Sequence, residues 1–155
     1  MKEHIEHIKL FKAAEVKLSY VTNKKPSERI KIESPDDAVE LLMGIWDQDS
    51  IEHIEEVKII LLNRANQVLG VATISKGGLS GSVIDTRVIM QYAINANASA
   101  VILAHNHPSG NLKPSEADKK ITKRIKDALE LFDINLLDHI IMTGERRFSS
   151  VMDEI

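Results

Sequence analysis

The sequence has no cysteine, and its 155 residues include one tryptophan, two tyrosines and three phenylalanines. Without cysteine the chain can form neither disulfides nor thiolate metal sites nor a cysteine nucleophile. Any metal must therefore be bound by His, Asp or Glu. The shortage of aromatic residues argues against a surface on which single-stranded nucleic acid bases stack. The core has to be built from aliphatic side chains.

Long apolar runs and a strong charge of one sign are also missing. No segment approaches the roughly 18 consecutive apolar residues of a membrane-spanning helix, and the opening MKEHIEHIKL does not resemble a signal peptide. We therefore expect a cytoplasmic protein with no membrane association. The formal net charge of -3 is not typical of proteins that bind phosphate backbones with their whole surface.

The residues that are present indicate one soluble globular domain, because 43% are hydrophobic and 28% are charged. Residues 1–33 are rich in Lys and Glu, and we expect them to form an N-terminal extension. The extension contains one predicted strand, Val16 to Val21, in which VKLSYV alternates apolar and polar residues. Residues 34–155 are expected to form the domain itself.

Within the domain, helical and strand patterns intermix. A cap at Ser34 followed by Pro35 predicts a helix that runs to about Trp46. The turn NRANQ separates two strands of a hairpin, and SKGGLSGS reads as a loop. The predicted elements are strands at 57–62, 68–74, 99–105 and 134–143 and helices at 34–46, 85–97 and 115–132. This order favours an α/β or α+β domain in which helices flank a mixed sheet.

The stretch AHNHPSGNLKPSEAD carries the chemistry. In a strand, residues two apart share a face, so His105 and His107 can direct both imidazoles at one point. Pro108 ends the strand, Ser115 can cap the next helix, and Asp118 lies in its first turn. Two imidazoles and one carboxylate would give a zinc ion three ligands and leave the fourth position for water.

Each part of this stretch also has an ordinary structural interpretation. Ser-x-x-Asp is a capping signature in its own right, and isolated histidines are common. The conjunction of both histidines with Asp118, ten residues beyond His107, is far more specific. His139, within LLDHIIM, is expected to be a buried core histidine rather than a metal ligand.

The stretch HNHPSGNLKPSEAD closely resembles the JAMM (MPN+) motif His-x-His-Pro-x6-Ser-x2-Asp, in the form carried by the RadC family of JAB-domain proteins. The resemblance extends through LLNRANQVLG, SKGGLSG and LLDHIIMTG and covers roughly residues 34–155. It implies a single JAB/MPN-like domain with a cytidine-deaminase-like fold. Many RadC proteins begin with a helix-hairpin-helix segment. These 155 residues have no room for it beside the JAB-type domain, so we expect the short form of the family without that segment.

The resemblance also implies a role for each residue of the site. His105, His107 and Asp118 match the zinc ligands, and Ser115 matches the serine that donates a hydrogen bond to the developing oxyanion. The family's general base is a glutamate from an earlier strand. IEEVKIILLN offers two candidates on opposite faces of that strand. Glu55 matches the family position, and Glu56 is the alternative.

Two function classes follow. The resemblance implies a zinc-dependent metallohydrolase that cleaves an amide or isopeptide bond in a peptide or isopeptide substrate. The alternative is a non-enzymatic, DNA-associated or scaffolding module with a structural or vestigial metal, in keeping with the DNA-repair label of the family. Its basis is the row of basic residues after Asp118, which is more often a solvated face. These residues, the candidates for nucleic-acid contact, are Lys119, Lys120, Lys123, Arg124 and Lys126.

Overall fold

The computed structural model describes residues 2, 3, 6, 13–77 and 83–155. Within them, three α-helices flank a five-stranded sheet with the strand order β2-β1-β3-β4-β5. In chain order the elements are α1 (Pro35–Ile45), β1 (Glu56–Leu62), β2 (Val68–Lys76), α2 (Thr86–Asn95), β3 (Ala100–Asn106), α3 (Glu116–Glu130), β4 (Asn135–Met142) and β5 (Phe148–Ser150). Two short 3-10 helices, Pro26–Glu28 and Val151–Glu154, complete the description.

The sheet is mixed, as the sequence predicts. β1 pairs antiparallel with β2 and with β3, β3 pairs parallel with β4, and β4 pairs antiparallel with β5. The parallel pair is joined through α3, since parallel neighbours need a crossover connection. β1 and β3 are buried along their whole length because helices cover both faces of the sheet.

Alternation along β3 assigns each residue to one of two cores. Ala100, Ile102 and Ala104 face α1 and pack in a cluster that contains Leu42 and Trp46. Val101 and Leu103 face α2 and α3, in a cluster that contains Ile89, Ile125 and Leu129. His105 continues the second set and therefore points to the side of α2 and α3.

The predicted helix starts are confirmed. The hydroxyl of Ser34 accepts a hydrogen bond from the Asp37 amide, and Pro35 occupies the first turn of α1. Ser115 caps α3 in the same way, with Asp118 as the reciprocal residue of a capping box. Each box satisfies two backbone amides at a helix end that have no partner within the helix.

The predicted strand Val16–Val21 is wrong. This segment has no regular secondary structure, and Val16 and Val21 are 87% and 85% exposed. Alternation describes a strand only when a neighbouring strand supplies the hydrogen-bond ladder. Here the extension meets the edge of the sheet later, where Lys31 bridges Gln67, and earlier the Tyr20 hydroxyl donates a hydrogen bond to the carbonyl of Leu69 in β2.

Ser75 and Lys76 of the predicted loop SKGGLSGS belong to β2 instead, because the strand continues two residues beyond the expected end. Residues 78–82 lie outside the described residues, so the rest of the loop stays a prediction. β5 was missed because three residues are too few to show an alternating pattern. Among the described helices, none is long and apolar enough to cross a lipid bilayer.

Candidate metal centre

Three side chains converge at the end of β3 and the start of α3. His105, His107 and Asp118 each offer one ligand atom, and these atoms lie within 4.8 Å of one another. The two Nε2 atoms are 2.9 Å apart, and Asp118 oxygens lie 3.4 Å from Nε2 of His105 and 3.8 Å from Nε2 of His107. Donors around a tetrahedral zinc ion are separated by about 3.3 Å, so the spacing fits such an ion.

The loop between His107 and Asp118 is fastened to the rest of the sheet. Its turn uses Gly110 at a positive φ of 80°, a conformation that costs glycine little. Arg147 donates a hydrogen bond to the carbonyl of Gly110 at 3.2 Å, and the Ser149 hydroxyl donates to the carbonyl of Leu112 at 2.6 Å. The chain after β4 thus holds the loop that returns Asp118 to the histidines.

Asp118 is at once a capping residue and a candidate ligand. Its Oδ2 accepts a hydrogen bond from the Ser115 amide at 2.7 Å, and the Ser115 hydroxyl accepts from the Asp118 amide at 3.0 Å. Oδ1 is the carboxylate oxygen nearer His105. The capping interpretation and the ligand interpretation therefore describe one arrangement, in which the cap orients the carboxylate.

Hydrogen bonding and burial prepare both imidazoles to bind a cation. Nδ1 of His107 faces the carbonyl of Asn111, which can only accept, so Nδ1 carries a proton and, in the neutral tautomer, Nε2 keeps its lone pair. Burial lowers the pKa of His105 to about 4, against the opposing charge of Asp118. Neutral rings with Nε2 directed at one point are the form in which histidine binds metals.

His139 lies behind this cluster. It is buried on β4, and its Nε2 is 2.8 Å from Nδ1 of His105. Burial holds the pKa of His139 well below its usual range, with His105 and His107 adding to the effect. The predicted core position is confirmed, but its contact with a candidate ligand was missed, because the pairing of His139 with Leu103 depends on the register between β3 and β4.

The two candidate glutamates face different surroundings. Glu56 lies on the α1 side and forms ion pairs with Lys58 at 2.9 Å and Lys76 at 3.0 Å. Burial raises the pKa of Glu56, but the two lysines outweigh it and leave this pKa below its usual value. Glu55 is half-buried just before β1. Because Val57 is opposite His105, continuing the register would place Glu55 opposite His107.

Asn106, between the two histidines, fastens the segment that carries Glu55. Its side-chain oxygen accepts a hydrogen bond from the Glu56 amide at 2.7 Å. Its side-chain nitrogen donates to the carbonyls of Ile51 at 2.6 Å and Ile54 at 2.9 Å. One fully buried amide thus fixes the backbone on both sides of Glu55 relative to the histidine strand.

The basic residues of α3 divide into two groups. Lys119 forms ion pairs with Glu116 and Glu154, and Lys126 lies 4.0 Å from Glu130. Within the part of the chain that the structure describes, no ion pair is found for the exposed cations of this helix. These are Lys120, Lys123 and Arg124.

A mixed sheet with two histidines at the end of a central strand and an aspartate in the next helix defines a JAB-type domain. The RadC-like JAB domain model matches residues 32–154, and the chain belongs to that family.

Several curated proteins are similar to this chain. A UPF0758 protein of Flavobacterium johnsoniae is 43% identical over 124 residues, which are 80% of this chain and 52% of the relative. One of Staphylococcus haemolyticus is 37% identical over 155 residues, 97% of this chain and 66% of the relative. The UPF0758 protein YfjY of Escherichia coli is 44% identical over 95 residues, 61% of this chain and 59% of the relative. The chain thus spans about half to two thirds of the length of these relatives.

Replacing Asn106 by Ala should destabilise the protein, because it leaves the buried polar groups of Glu56, Ile51 and Ile54 without their partner. We expect the free energy of unfolding to fall by about 2 to 4 kcal/mol. Amide hydrogen exchange should accelerate most between Ile51 and Glu56. Asn135→Ala, at an exposed position on β4, is the matched control. Equal urea midpoints for the two variants would contradict the role of Asn106.

The buried neutral state of His105 predicts the pH dependence of stability in the metal-free protein. Its pKa is about 4 when folded and near 6.5 as the ordinary value. Because the unfolded chain binds a proton that the folded chain does not, the free energy of unfolding falls as pH decreases from 6.5 towards 4. We expect a loss of about 2 kcal/mol between pH 7 and 5 from this group. Urea unfolding with a chelator present measures it, and an undiminished slope in His105→Gln would disprove the assignment.

Proposed function

We propose that the protein is a zinc-dependent hydrolase of the JAMM type that cleaves an amide or isopeptide bond. The observation that carries the proposal is the convergence of Nε2 of His105, Nε2 of His107 and the carboxylate of Asp118 on one point. Two nitrogen ligands and one oxygen ligand are the donor set of hydrolytic zinc sites, in which the fourth position stays open. When bound, zinc supplies the Lewis acidity that polarises an amide carbonyl and acidifies water.

Glu55 acts as the general base in this proposal. It accepts a proton from the attacking water and passes it to the amine nitrogen that leaves. Its support is its half-buried position on the histidine side of the sheet, one step before β1. Glu56 is the weaker candidate because it points to the other face and is engaged by Lys58 and Lys76.

Ser115 stabilises the oxyanion. Its hydroxyl oxygen accepts a hydrogen bond from the Asp118 amide, which leaves its proton to be donated towards a substrate oxygen at the mouth of the site. A donor directed at charge that appears only in the transition state increases kcat more than it strengthens substrate binding.

Metal analysis and catalysis test separate parts of this proposal. Purified protein should contain one zinc per chain by plasma mass spectrometry. His107→Ala should lose the zinc, while His53→Ala, an exposed histidine, should retain it. Glu55→Gln should retain zinc and lose at least about 100-fold in kcat on fluorogenic peptides and a lysine-ε-linked isopeptide. Glu40→Gln, an exposed glutamate on α1, is the matched control.

Two results would overturn the proposal. One is wild-type protein that takes up no zinc after incubation with the ion. The other is zinc content and stability that do not change in His107→Ala. If Glu56→Gln rather than Glu55→Gln abolished hydrolysis, only the assignment of the general base would be wrong, and the zinc site would stand.

A second candidate function is contact with nucleic acid, favoured by Lys120, Lys123 and Arg124 beside the metal centre. Phosphate contacts release counterions, so binding would weaken as salt increases. The logarithm of the association constant should fall against the logarithm of the salt concentration with a slope of about 0.9 per contact.

Reversing the charges of Lys120, Lys123 and Arg124 to Glu should abolish binding of a labelled DNA duplex at low salt. The charge-matched control reverses Lys17, Lys24 and Lys25. Equal weakening in both triple variants would indicate a general charge effect, and the absence of wild-type binding at low salt would eliminate this function.

A further inference from the structure

We infer that Thr122 and His139 are positioning residues that determine which ring nitrogen of His105 carries its proton. The two side chains form a buried hydrogen-bond chain from the backbone of α3 to the imidazole of His105. The inference rests on the proposed zinc site and assigns it two residues outside the ligand set.

The chain begins at the hydroxyl of Thr122, which contacts the carbonyl oxygen of Asp118 and Nδ1 of His139. A carbonyl can only accept, and a hydroxyl has one proton to donate. Thr122 therefore donates to Asp118. Its oxygen then accepts from His139, so Nδ1 of His139 carries a proton.

The direction of the next hydrogen bond follows. A neutral imidazole has one donor nitrogen and one acceptor nitrogen, so Nε2 of His139 accepts. Its partner at 2.8 Å is Nδ1 of His105, which must donate. Nε2 of His105 is left with a lone pair directed at His107 and Asp118. Thr122, His139 and His105 are at most 1% exposed, so bulk water cannot take the place of either link.

The hydrogen-bond chain supplies Nδ1 of His105 with a partner that the backbone next to this residue does not provide. His107 donates directly to the carbonyl of Asn111 in its own loop. His105 lies inside the sheet, between β1 and β4, and it is linked to a backbone carbonyl in the first turn of α3 through His139 and Thr122. That carbonyl belongs to Asp118, so the chain also links two candidate ligands behind the metal centre.

Removing the hydroxyl of Thr122 should therefore change the tautomer of His105. In Thr122→Val, Nδ1–H of His139 loses its acceptor, and the tautomer with the proton on Nε2 becomes favoured. That proton faces Nδ1 of His105, which then accepts, and the His105 proton moves to the nitrogen needed by zinc. Mutating the hydrogen-bond partner of a metal-binding histidine typically lowers metal affinity by 10- to 100-fold.

Competition with a fluorescent zinc chelator measures this effect. Zinc affinity should fall about 10- to 100-fold in Thr122→Val and remain within about threefold in Thr122→Ser, which restores the hydroxyl. His139→Gln, whose side-chain oxygen can still accept, should bind zinc better than His139→Leu. The matched control is Thr143→Val, another buried threonine, in which zinc affinity should not change.

Nitrogen NMR of the imidazole rings in metal-free protein tests the mechanism without any metal. In the wild type, His105 should be protonated on Nδ1, and in Thr122→Val on Nε2. A wild-type His105 protonated on Nε2, or equal zinc affinity in Thr122→Val and Thr122→Ser, would overturn the inference. These results differ from the one that would overturn the proposed function, which is wild-type protein that binds no zinc at all.

Discussion

Two imidazole lone pairs and a carboxylate directed at a single point form an arrangement that is unfavourable without a cation. The Nε2 atoms of His105 and His107 are 2.9 Å apart, and neither nitrogen can donate to the other while both rings have their protons on Nδ1. The surrounding structure maintains this geometry. β3 is buried between β1 and β4, and Asn106 fastens the segment that leads into β1 to the end of β3. The capping box of α3 fixes Asp118. This convergence is the reason to propose a metal site.

The sheet separates two kinds of polar chemistry. On the side of α2 and α3 lie His105 and His139, which are hydrogen-bonded to each other, and burial lowers the pKa of both. On the α1 side lies a buried carboxylate, Glu56, compensated by Lys58 and Lys76. A buried charge must be paired to be tolerated, which explains the two lysines. Asn106 connects the sides, because its amide holds the backbone where adjacent glutamates point in opposite directions.

Local features of this protein were predictable because their causes lie within a few residues. The caps at Ser34 and Ser115 and the hairpin at NRANQ need only neighbouring residues, and so does the pairing of His105 with His107 on one face. The contact between His139 and His105 joins residues 34 apart and depends on the register of a parallel pair, which has no local signal. The prediction of a strand at Val16–Val21 was wrong for a related reason, since an alternating pattern does not specify which strand would pair with it. The register similarly determines which of Glu55 and Glu56 lies on the histidine side.

The most direct test of the metal centre is a crystal structure of zinc-loaded protein with anomalous data collected across the zinc absorption edge. If the site binds zinc as proposed, one strong anomalous peak should lie about 2.0 to 2.2 Å from Nε2 of His105, Nε2 of His107 and an oxygen of Asp118. The hydrogen bond between His105 and His139 should also be retained. A peak on other residues, or no peak in crystals grown with stoichiometric zinc, would contradict the proposed zinc site.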